Sequence, residues 1–458
     1  MILNEVFERF VEESPVSVMA RAVLENALTP TVVDTLFENV AEQQYTRQLL
    51  FSDVVDLMGA VVCTIRPSIN AASKKHAAAL GVTRQAVSDK INRTEPPIGA
   101  ALVRHTAGAL APVIAAMTGG KPPWLPGYRV KILDGSHLPG TEHRLQPLRI
   151  ERAGALPGQA VVVFDPATML VLDAIPCEDG HAQERSLTEP ILEMVRPGDL
   201  WVGDRNFCTT ALLFGIASRG GSFVIRQHGS TLTWEAVGER VSRGRCATGV
   251  VFEQTIRLSN ADGACLWARR VTVELDRPTR DGDCAIHILT SLAEGVGDAI
   301  TVAEIYRQRW TLETAFQEME ATLHGEIDTL GYPRAALFAL CVALVTYNVM
   351  SVVKAALRSV HGTEAIDGGV SGWDLAEEVA GTTRGMLIAI PADEWAVVHE
   401  LSPVAMGRLL KELARRVRLS EYRKQPRGPK KPKPLKASGY KKKHLSTAKL
   451  LKDQRSRR

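Results

Sequence analysis

The sequence predicts a mixed α/β protein whose central sheet is flanked by helical segments towards both ends of the chain. Apolar residues recur at roughly helical spacing through the first 100 positions. Between residues 130 and 226, short apolar runs of strand length alternate with segments of helix length. The 458 residues are enough for two or three domains that each bury a core.

Residues 1–118 are predicted to form a helical domain that binds DNA. Residues 76–91 have the pattern of a helix-turn-helix, with Gly81 in the turn and Thr83 capping the second helix. This arrangement would expose four polar side chains to DNA, namely Arg84, Gln85, Ser88 and Lys90. Because the pattern is weakly specific, an ordinary helical hairpin is the alternative.

Residues 119–229 are predicted to form the first part of the core, after a linker rich in Pro and Gly at 119–127. The predicted elements are a strand entering Asp134, strands at 160–164 and 169–175, a helix at 182–195, a strand entering Asp204, a helix at 209–218 and a strand at 222–226. Three strands followed by alternating helices and strands is the order of the ribonuclease H-like fold, a mixed sheet with helices on both faces.

Residues 230–300 read as a β insertion, because β-rich runs at 250–258, 265–275 and 284–292 are separated by turn residues. The core is predicted to resume over 301–370. It contains an uncharged run at 335–353 that has the length of a membrane span. A buried core helix is favoured, because the run contains Thr346, Tyr347 and Asn348 and stands alone. No membrane partner is therefore expected.

Residues 371–421 are predicted to be helical, and 422–458 to form a basic tail that is disordered when free. Fifteen Lys or Arg residues and one Asp give this tail a net charge of +14, so the rest of the chain, within a total of +4, carries −10. Such a distribution indicates a polyanionic partner, most simply nucleic acid. A solubilising tail is the alternative.

The seven scattered cysteines form no CxxC pair, which favours free thiols in a reducing cytosol over a disulfide framework. The first residues lack the basic-then-apolar pattern of a signal peptide. The sequence therefore predicts a cytoplasmic protein.

Three polar residues share one predicted helix face, since Tyr306, Arg309 and Glu313 lie at offsets of zero, three and seven. The opposite face carries an apolar stripe of Ile305, Leu312, Phe316 and Met319. We therefore expect the stripe to be buried and the Tyr, Arg and carboxylate to be presented on the other side.

Two aspartates, Asp134 and Asp204, each follow an apolar run and are predicted to lie at strand ends. Together with Glu313 they could hold a pair of divalent metals for phosphodiester chemistry. Individually these signals are weak, because Asp-Gly is a common turn and Arg–Glu pairs are common salt bridges. Less favoured carboxylates are Asp165, Asp173 and Asp199, and, on the helix, Glu304, Glu318 and Glu320.

The motifs Asp134-Gly135-Ser136, Gly203-Asp204-Arg205-Asn206-Phe207 and Tyr306-x2-Arg309-x3-Glu313 resemble those of bacterial insertion-sequence DDE transposases of family four, the Y-R-E-K signature group. The resemblance covers roughly residues 30–430. It implies cut-and-paste transposition with Mg²⁺ or Mn²⁺, two ions per site, held by Asp134, Asp204 and Glu313. It also implies that Tyr306 and Arg309 contact the transposon end.

One position departs from the family pattern, because Glu320 stands where the signature has Lys. A carboxylate there would repel DNA phosphate. Either another base such as Arg307 or a tail Lys supplies the contact, or end binding is weakened, or this copy is impaired. Members of the family hold a flipped base on an aromatic residue of the β insertion. Trp234 and Trp267 are candidates, although either could equally pack the insertion's own core.

The sequence therefore predicts a DNA transposase that binds terminal inverted repeats, cuts the element out and joins its 3′ ends to target DNA. Its partner would be double-stranded DNA, and two protomers would assemble on it because two ends are cut and joined together. Its place would be the bacterial cytoplasm, at the nucleoid. The alternatives are a metal-dependent nuclease on the same fold and a catalytically silent DNA-binding protein derived from a transposase.

Overall fold

A computed structural model describes residues 2–456, except 45, 47, 139, 144, 151–153, 230–231, 280–281, 324, 326, 328 and 426–443. Some residues within helices and strands are described by their backbone alone, namely 75–80, 318, 320–322, 444–445 and 455. The described chain forms a ten-stranded mixed sheet, a two-stranded sheet and helices packed on both faces of the larger sheet.

The N-terminal part is helical, as predicted. Its helices are α1 Glu5–Glu13, α2 Pro15–Ala27, α3 Pro30–Val40, α4 Phe51–Val62, α5 Ile69–Leu80, α6 Arg84–Arg93 and α7 Pro96–Met117. Helices α5 and α6 form the predicted helix-turn-helix backbone. Gly81 makes the turn at φ +65°, where a side chain would be strained. Thr83 caps α6 by accepting the Ala86 N–H at 3.1 Å.

The core strands of the larger sheet are β1 Arg129–His137, β3 Gln159–Asp165, β4 Leu170–Cys177, β5 Asp199–Gly203 and β6 Ser222–Arg226. They lie side by side in the order β4-β3-β1-β5-β6. Strand β1 pairs antiparallel with β3 and parallel with β5, β4 pairs antiparallel with β3, and β6 pairs parallel with β5. The carboxyl ends of β1, β4, β5 and β6 therefore share one edge of the sheet.

Between β4 and β5 the predicted helix over 182–195 is too long. A 3₁₀ turn at Glu184–Leu187 leads into a short helix, α8 Thr188–Glu193. Pro190 lies in the first turn of α8, where proline is tolerated but cannot follow a longer helix, and Pro197 comes after its end. The next helix, α9 Thr210–Ser218, agrees with the prediction and ends before Gly220, which has φ +74°.

The three strands predicted for residues 230–300 are present, but this segment contains two strands more than expected and continues the core sheet. Its strands are β7 Thr233–Ala236, β8 Val241–Cys246, β9 Gly249–Ser259, β10 Cys265–Leu275 and β11 Ala285–Thr290. The last of these pairs with β6, so backbone hydrogen bonds run unbroken from the core into the insertion. Strands β7 and β8 were missed because both are short and mostly exposed, with few apolar residues.

The helices that follow are α10 Ala299–Gln308, α11 Trp310–Thr322, α12 Pro333–His361, α13 Thr363–Gly369, α14 Gly372–Ala389, α15 Ala396–His399 and α16 Pro403–Ala414. Helices α7, α10, α11 and α12 belong to the core of one sheet face, and α8 and α9 to the core of the other. The helices from both ends of the chain share a third cluster around α2, α12 and α16.

Two helices of the described chain are long and apolar enough to cross a membrane by length and composition, Pro96–Met117 and Pro333–His361. In α12, however, 94% of the most apolar window is buried inside the protein, as in a soluble core helix. The fold thus uses the uncharged run 335–353 as interior, in agreement with the favoured interpretation.

The basic tail is not disordered throughout. Residues 426–443 of this predicted disordered tail lie outside the described residues. The chain after them forms β12 His444–Ser446 and α17 Thr447–Ser456. Strand β12 pairs in parallel with β2 Gly154–Leu156, and Lys449 Nζ lies 3.0 Å from Asp179 Oδ2. The prediction of disorder rested on the high charge of the segment. It missed β12 and α17 because a short strand whose backbone is paired needs little apolar surface.

Candidate active site

Asp134 lies in β1, and Asp204 lies just past the end of the neighbouring strand β5. The last paired residues of these two strands are Ile132 and Val202, two positions before the aspartates, and Asp204 is close enough to raise the pKa of Asp134. Asp204 follows β5, as predicted, and its Oδ1 accepts the Asn206 N–H at 2.8 Å. Asp134 is not at a strand end, because pairing with β3 continues to His137.

The motif around Glu313 is not one exposed helix face. Helix α10 ends at Gln308 and α11 begins at Trp310, with Arg309 between them. Tyr306 is 6% exposed and Arg309 is 7% exposed, so both are buried, whereas the expectation placed them at the surface. The apolar stripe is buried as predicted, with Phe316 only partly covered. Tyr306 and Arg309 are buried as well because the sheet edge lies on their side of the helix.

Arg309 joins the helix to the sheet. Its Nη2 donates to Glu313 Oε1 at 2.9 Å and its Nη1 lies 3.5 Å from Asp134 Oδ2. The guanidinium carbon is 6.0 Å from the centre of the Tyr306 ring. The guanidinium therefore bridges two of the three carboxylates that the sequence singled out.

The carboxylates of this site repel one another. The pKa of Asp134 is raised to about 7, mainly by burial; Arg309 opposes the rise, and Asp204, Glu313 and Glu184 contribute to it. Burial likewise raises the pKa of Tyr306. Four carboxylates thus act on one another around the Arg309 guanidinium, and such a concentration of negative charge is the electrostatic setting of a cation site.

Sequence reasoning missed Glu184, which belongs to the same constellation. Its Oε2 accepts a hydrogen bond from Asn206 Nδ2 at 3.1 Å. Its other oxygen lies against Gly135, where an added Cβ would collide with it. No sequence signal pointed to Glu184, because it belongs to none of the three motifs and was placed within the predicted helix at 182–195, whereas the structure has it in the 3₁₀ turn between β4 and α8.

The carboxylates that the sequence analysis favoured less have structural partners. Asp173 pairs with Arg104 at 2.8 Å and Asp199 pairs with Lys131 at 2.6 Å. Asp165 accepts the Ala167 N–H at 2.9 Å in the turn before β4. Glu304 pairs with Arg307 and accepts the Ala247 N–H. These contacts agree with the lower rank given to them.

The exposed residues of the helix-turn-helix are fewer than expected. Arg84 and Gln85 are exposed, and Ser88 is partly buried. Lys90 is also partly buried, because its ammonium lies 4.0 Å from the centre of the Phe37 ring. Burial lowers the pKa of Lys90. The expectation that Lys90 points towards solvent is therefore wrong.

The helix-turn-helix lies beside the same sheet edge as the carboxylates. Arg334, in the first turn of α12, donates to Glu178 Oε1 at 3.0 Å just past the end of β4. It also donates to the carbonyl oxygen of Arg93 at 3.4 Å, at the end of α6. One side chain thus ties the end of α6 to the edge at which Asp134 and Asp204 lie.

Three further residues were named from the sequence. Trp267 is 57% exposed and Trp234 is 37% exposed on the β insertion. The Arg270 guanidinium carbon lies 5.0 Å from the Trp234 ring centre, so Trp234 already has a cationic partner. The side chain of Glu320 lies outside the described residues, although helix α11 includes its backbone.

The donors present fit a hard divalent cation, because Mg²⁺ and Mn²⁺ prefer carboxylate oxygens. In the described part of the chain, no three Asp, Glu, His or Cys side chains are grouped closely enough to share one ion. Arg309 instead bridges Asp134 and Glu313, so this point of the molecule already attracts positive charge. The Nε of Arg309 is buried and lacks a hydrogen-bond partner among the described residues.

The chain is similar to known transposases over part of its length. Residues 125–349 match the family model described as "Transposase DDE domain". The chain is 26% identical over 246 residues to a transposase of insertion sequence element IS421 from Escherichia coli. It is also 26% identical over 246 residues to a protein named as transposase InsL, of element IS186A from E. coli strain K12. Each alignment covers 46% of this chain and 61% of the relative.

The matched segment begins just before β1 and ends inside α12, so it contains Asp134, Asp204 and Glu313. A DDE domain implies a ribonuclease H-like fold and a metal-dependent enzyme that cleaves and transfers DNA strands. The relatives act in insertion sequences, and the chain spans about three fifths of their length. Residues 125–349 of this chain are thus similar to a transposase DDE domain.

Proposed function

We propose that the chain is a DNA transposase of the insertion-sequence family four that cuts its element out of DNA and joins the 3′ ends to target DNA. The observation that carries the proposal is the convergence of Asp134, Asp204 and Glu313 around Arg309 at one edge of the sheet. Inside a domain of this family, that arrangement favours strand cleavage and transfer over a role in binding alone.

Asp134, Asp204 and Glu313 would hold two Mg²⁺ or Mn²⁺ ions. When bound, such ions activate the attacking hydroxyl and stabilise the leaving oxygen. The protein itself would align the scissile phosphate, with Tyr306 and Arg309 contacting the transposon end. A planar guanidinium can grip two phosphate oxygens, and Arg309 is already held at this point by the carboxylates beside it.

Arg84, Gln85 and Ser88 would contact the terminal inverted repeat through the helix-turn-helix. Lys90 is left out, because its ammonium lies over Phe37. Arg334 contacts both Glu178 and the end of α6, the second helix of the helix-turn-helix. This contact supports simultaneous binding of the repeat and cleavage of DNA, since it holds α6 near the sheet edge that carries Asp134 and Asp204. The basic residues of 422–458 would add phosphate contacts that do not depend on sequence.

Two protomers would assemble on DNA, because two element ends are cut and joined together. The protein would work in the bacterial cytoplasm, at the nucleoid. These statements rest on the reaction and on the family resemblance.

The test is cleavage and joining of a labelled duplex that carries the inverted repeats flanking the gene, with Mg²⁺. We expect the wild type to nick at the repeat boundary and form joined product. Glu313→Gln and Asp134→Asn should each reduce nicking by about 100-fold or more, because both remove a charged ligand oxygen. Glu364→Gln, an exposed carboxylate on α13, is the matched control and should behave as wild type.

The other outcomes identify the alternatives. Nicking without joined product would indicate a metal-dependent nuclease. Repeat binding without nicking by the wild type would indicate a silent DNA-binding protein. Nicking that survives Glu313→Gln unchanged would refute the assignment of the triad.

A further inference from the structure

Glu184 sits between the two aspartates of the candidate site without being one of the three motif residues. It begins the 3₁₀ turn Glu184–Leu187, which connects β4 to α8 on the active edge of the sheet. The side chain is partly buried. Its position next to both β1 and the chain after β5 is a product of the fold, since residues 134, 184 and 204 lie far apart in sequence.

One oxygen of Glu184 lies against the backbone of β1. A Cβ on Gly135 would collide with Oε1 and Cδ of Glu184, so only glycine leaves room for this carboxylate beside Asp134. Gly135 does not need its conformational freedom here, because its φ is not positive. The lack of a side chain at position 135 therefore serves to admit Glu184.

The other oxygen of Glu184 reaches the chain after β5. Oε2 accepts the hydrogen bond from Asn206 Nδ2 at 3.1 Å, and the Asn206 backbone N–H donates to Asp204 Oδ1 at 2.8 Å. Glu184 thus holds the residue that orients Asp204. Contacts of this kind, behind the ligands of a metal, set ligand orientation and affect metal affinity.

The negative charge of Glu184 is more than this hydrogen bond requires, since a glutamine oxygen could accept it equally well. The charge adds to a site that already contains Asp134, Asp204 and Glu313, and Asp204 helps to raise the pKa of Glu184 after burial. Arg309 supplies an opposing positive charge, because its side chain is more than nine-tenths buried and contacts Asp134 and Glu313. Concentrated like charge destabilises the fold unless a cation binds there.

We propose that Glu184 is a fourth carboxylate of the metal site, a positioning residue that orders Asp204 through Asn206 and adds its charge to the attraction for the divalent cation. The inference rests on the proposed function, because it assumes that Asp134, Asp204 and Glu313 hold the metal.

The test is calorimetric titration of the full-length protein with Mn²⁺, without DNA, so that binding is read independently of catalysis. Glu184→Gln keeps the acceptor for Asn206 and removes only the charge. We expect it to weaken Mn²⁺ binding by about 10- to 100-fold, the range typical of residues that support metal ligands. Glu189→Gln, an exposed carboxylate five residues on, is the matched control and should bind as wild type.

A second variant tests the position rather than the charge. Gly135→Ala keeps all four carboxylates but forces the side chain of Glu184 away. It should weaken Mn²⁺ binding as Glu184→Gln does, and the double variant should bind no more weakly than either single one. Thermal melting without metal shows that each variant is folded before it is titrated.

Mn²⁺ binding by a third variant, Asp134→Asn, distinguishes failure of the role of Glu184 from failure of the proposed function. If Asp134→Asn abolishes Mn²⁺ binding while Glu184→Gln and Gly135→Ala bind as wild type, the role of Glu184 is refuted and the triad stands. If Asp134→Asn also binds as wild type, the metal site and the proposed function are both refuted.

Discussion

Arg309 is a buried cation whose two partners come from different elements. A buried guanidinium is tolerated only when paired, and here Glu313 of α11 and Asp134 of β1 supply the pairing. Under the proposed function, a divalent cation would bind the same two carboxylates. Arg309 and the metal would therefore compete for the same charge, and DNA phosphate offers Arg309 an alternative partner.

His287 should make the fold sensitive to acid. Its Nδ1 lies 3.0 Å from the Thr272 hydroxyl. The pKa of His287 is lowered to about 4, mainly by burial and also by the nearby Arg270, Arg240 and Arg226. The folded state thus prefers the neutral imidazole. This contribution to stability is complete above the unfolded pKa of about 6.5 and is lost as the pH falls towards 4.

We expect His287→Gln to lose less stability than the wild type between pH 7 and pH 5, by an amount on the order of 1 kcal/mol. Urea denaturation at both pH values measures the difference. His181→Gln, at an exposed position, is the control and should lose as much as the wild type. Equal losses in His287→Gln and wild type would contradict the assignment of a lowered pKa.

At the scale of elements, the break between α10 and α11 divides a motif that reads as one helix. Helix α10 packs against strands of the sheet, including β6 and β8 to β11, whereas α11 packs against α12 and α14. The interruption is one residue long and falls at Arg309, which keeps helical dihedrals (φ −49°, ψ −33°). The residue at which the two helices meet is therefore also the one whose guanidinium is buried.

The strand β12, late in the chain, pairs with β2, which lies between β1 and β3 in sequence but belongs to the separate two-stranded sheet. Two-stranded pairs are marginal alone, so β2 should depend on β12 and on the ion pair of Lys449 with Asp179. We expect truncation after residue 443 to speed amide hydrogen exchange at Gly154–Leu156 by about tenfold or more.

Hydrogen exchange with mass spectrometry measures this effect. Truncation after Ser456 preserves β12 and α17 and is the matched control. Unchanged exchange in the shorter protein would show that β2 is held by other contacts, such as its bridge to Thr141.

At the scale of the whole molecule, α12 is a buried central helix. One polar residue of this helix, Asn348, fixes its position relative to the sheet. Asn348 is fully buried. Its Oδ1 accepts the Val171 N–H at 2.8 Å and its Nδ2 donates to the Val171 carbonyl at 2.9 Å. The side chain thus pairs with β4 as a neighbouring strand would.

We expect Asn348→Leu to lower the free energy of unfolding by about 2–4 kcal/mol, because two buried backbone groups lose their partners. Thr346→Val in the same helix is the matched control. Its hydroxyl donates to the Val342 carbonyl, which is already paired within the helix, so its loss should cost less than about 1 kcal/mol. Equal costs in the two variants, measured by urea denaturation, would contradict this role for Asn348.

Much of the architecture was predictable because it is local. Helical periodicity, the Gly81 turn, the Thr83 cap and most strands between 129 and 290 agree with the structure, since each depends on neighbours in sequence. The limits of the six predicted domains remain a prediction. Shared cores link the N-terminal helices to the sheet and to the C-terminal helices without a visible gap.

The sequence by itself predicted most of the element order between residues 129 and 290, because periodicity is a property of the chain. It also singled out Asp134, Asp204 and Glu313 as candidates, from their spacing and from the resemblance of their motifs. Only the tertiary structure decided what surrounds those residues. Arg309 and Tyr306 are buried, and Glu184 joins the site beside Gly135. Strand β12 returns to β2. Each of these contacts links segments distant in sequence, and their side chains carry no periodic signal, so only packing of the folded chain brings them together.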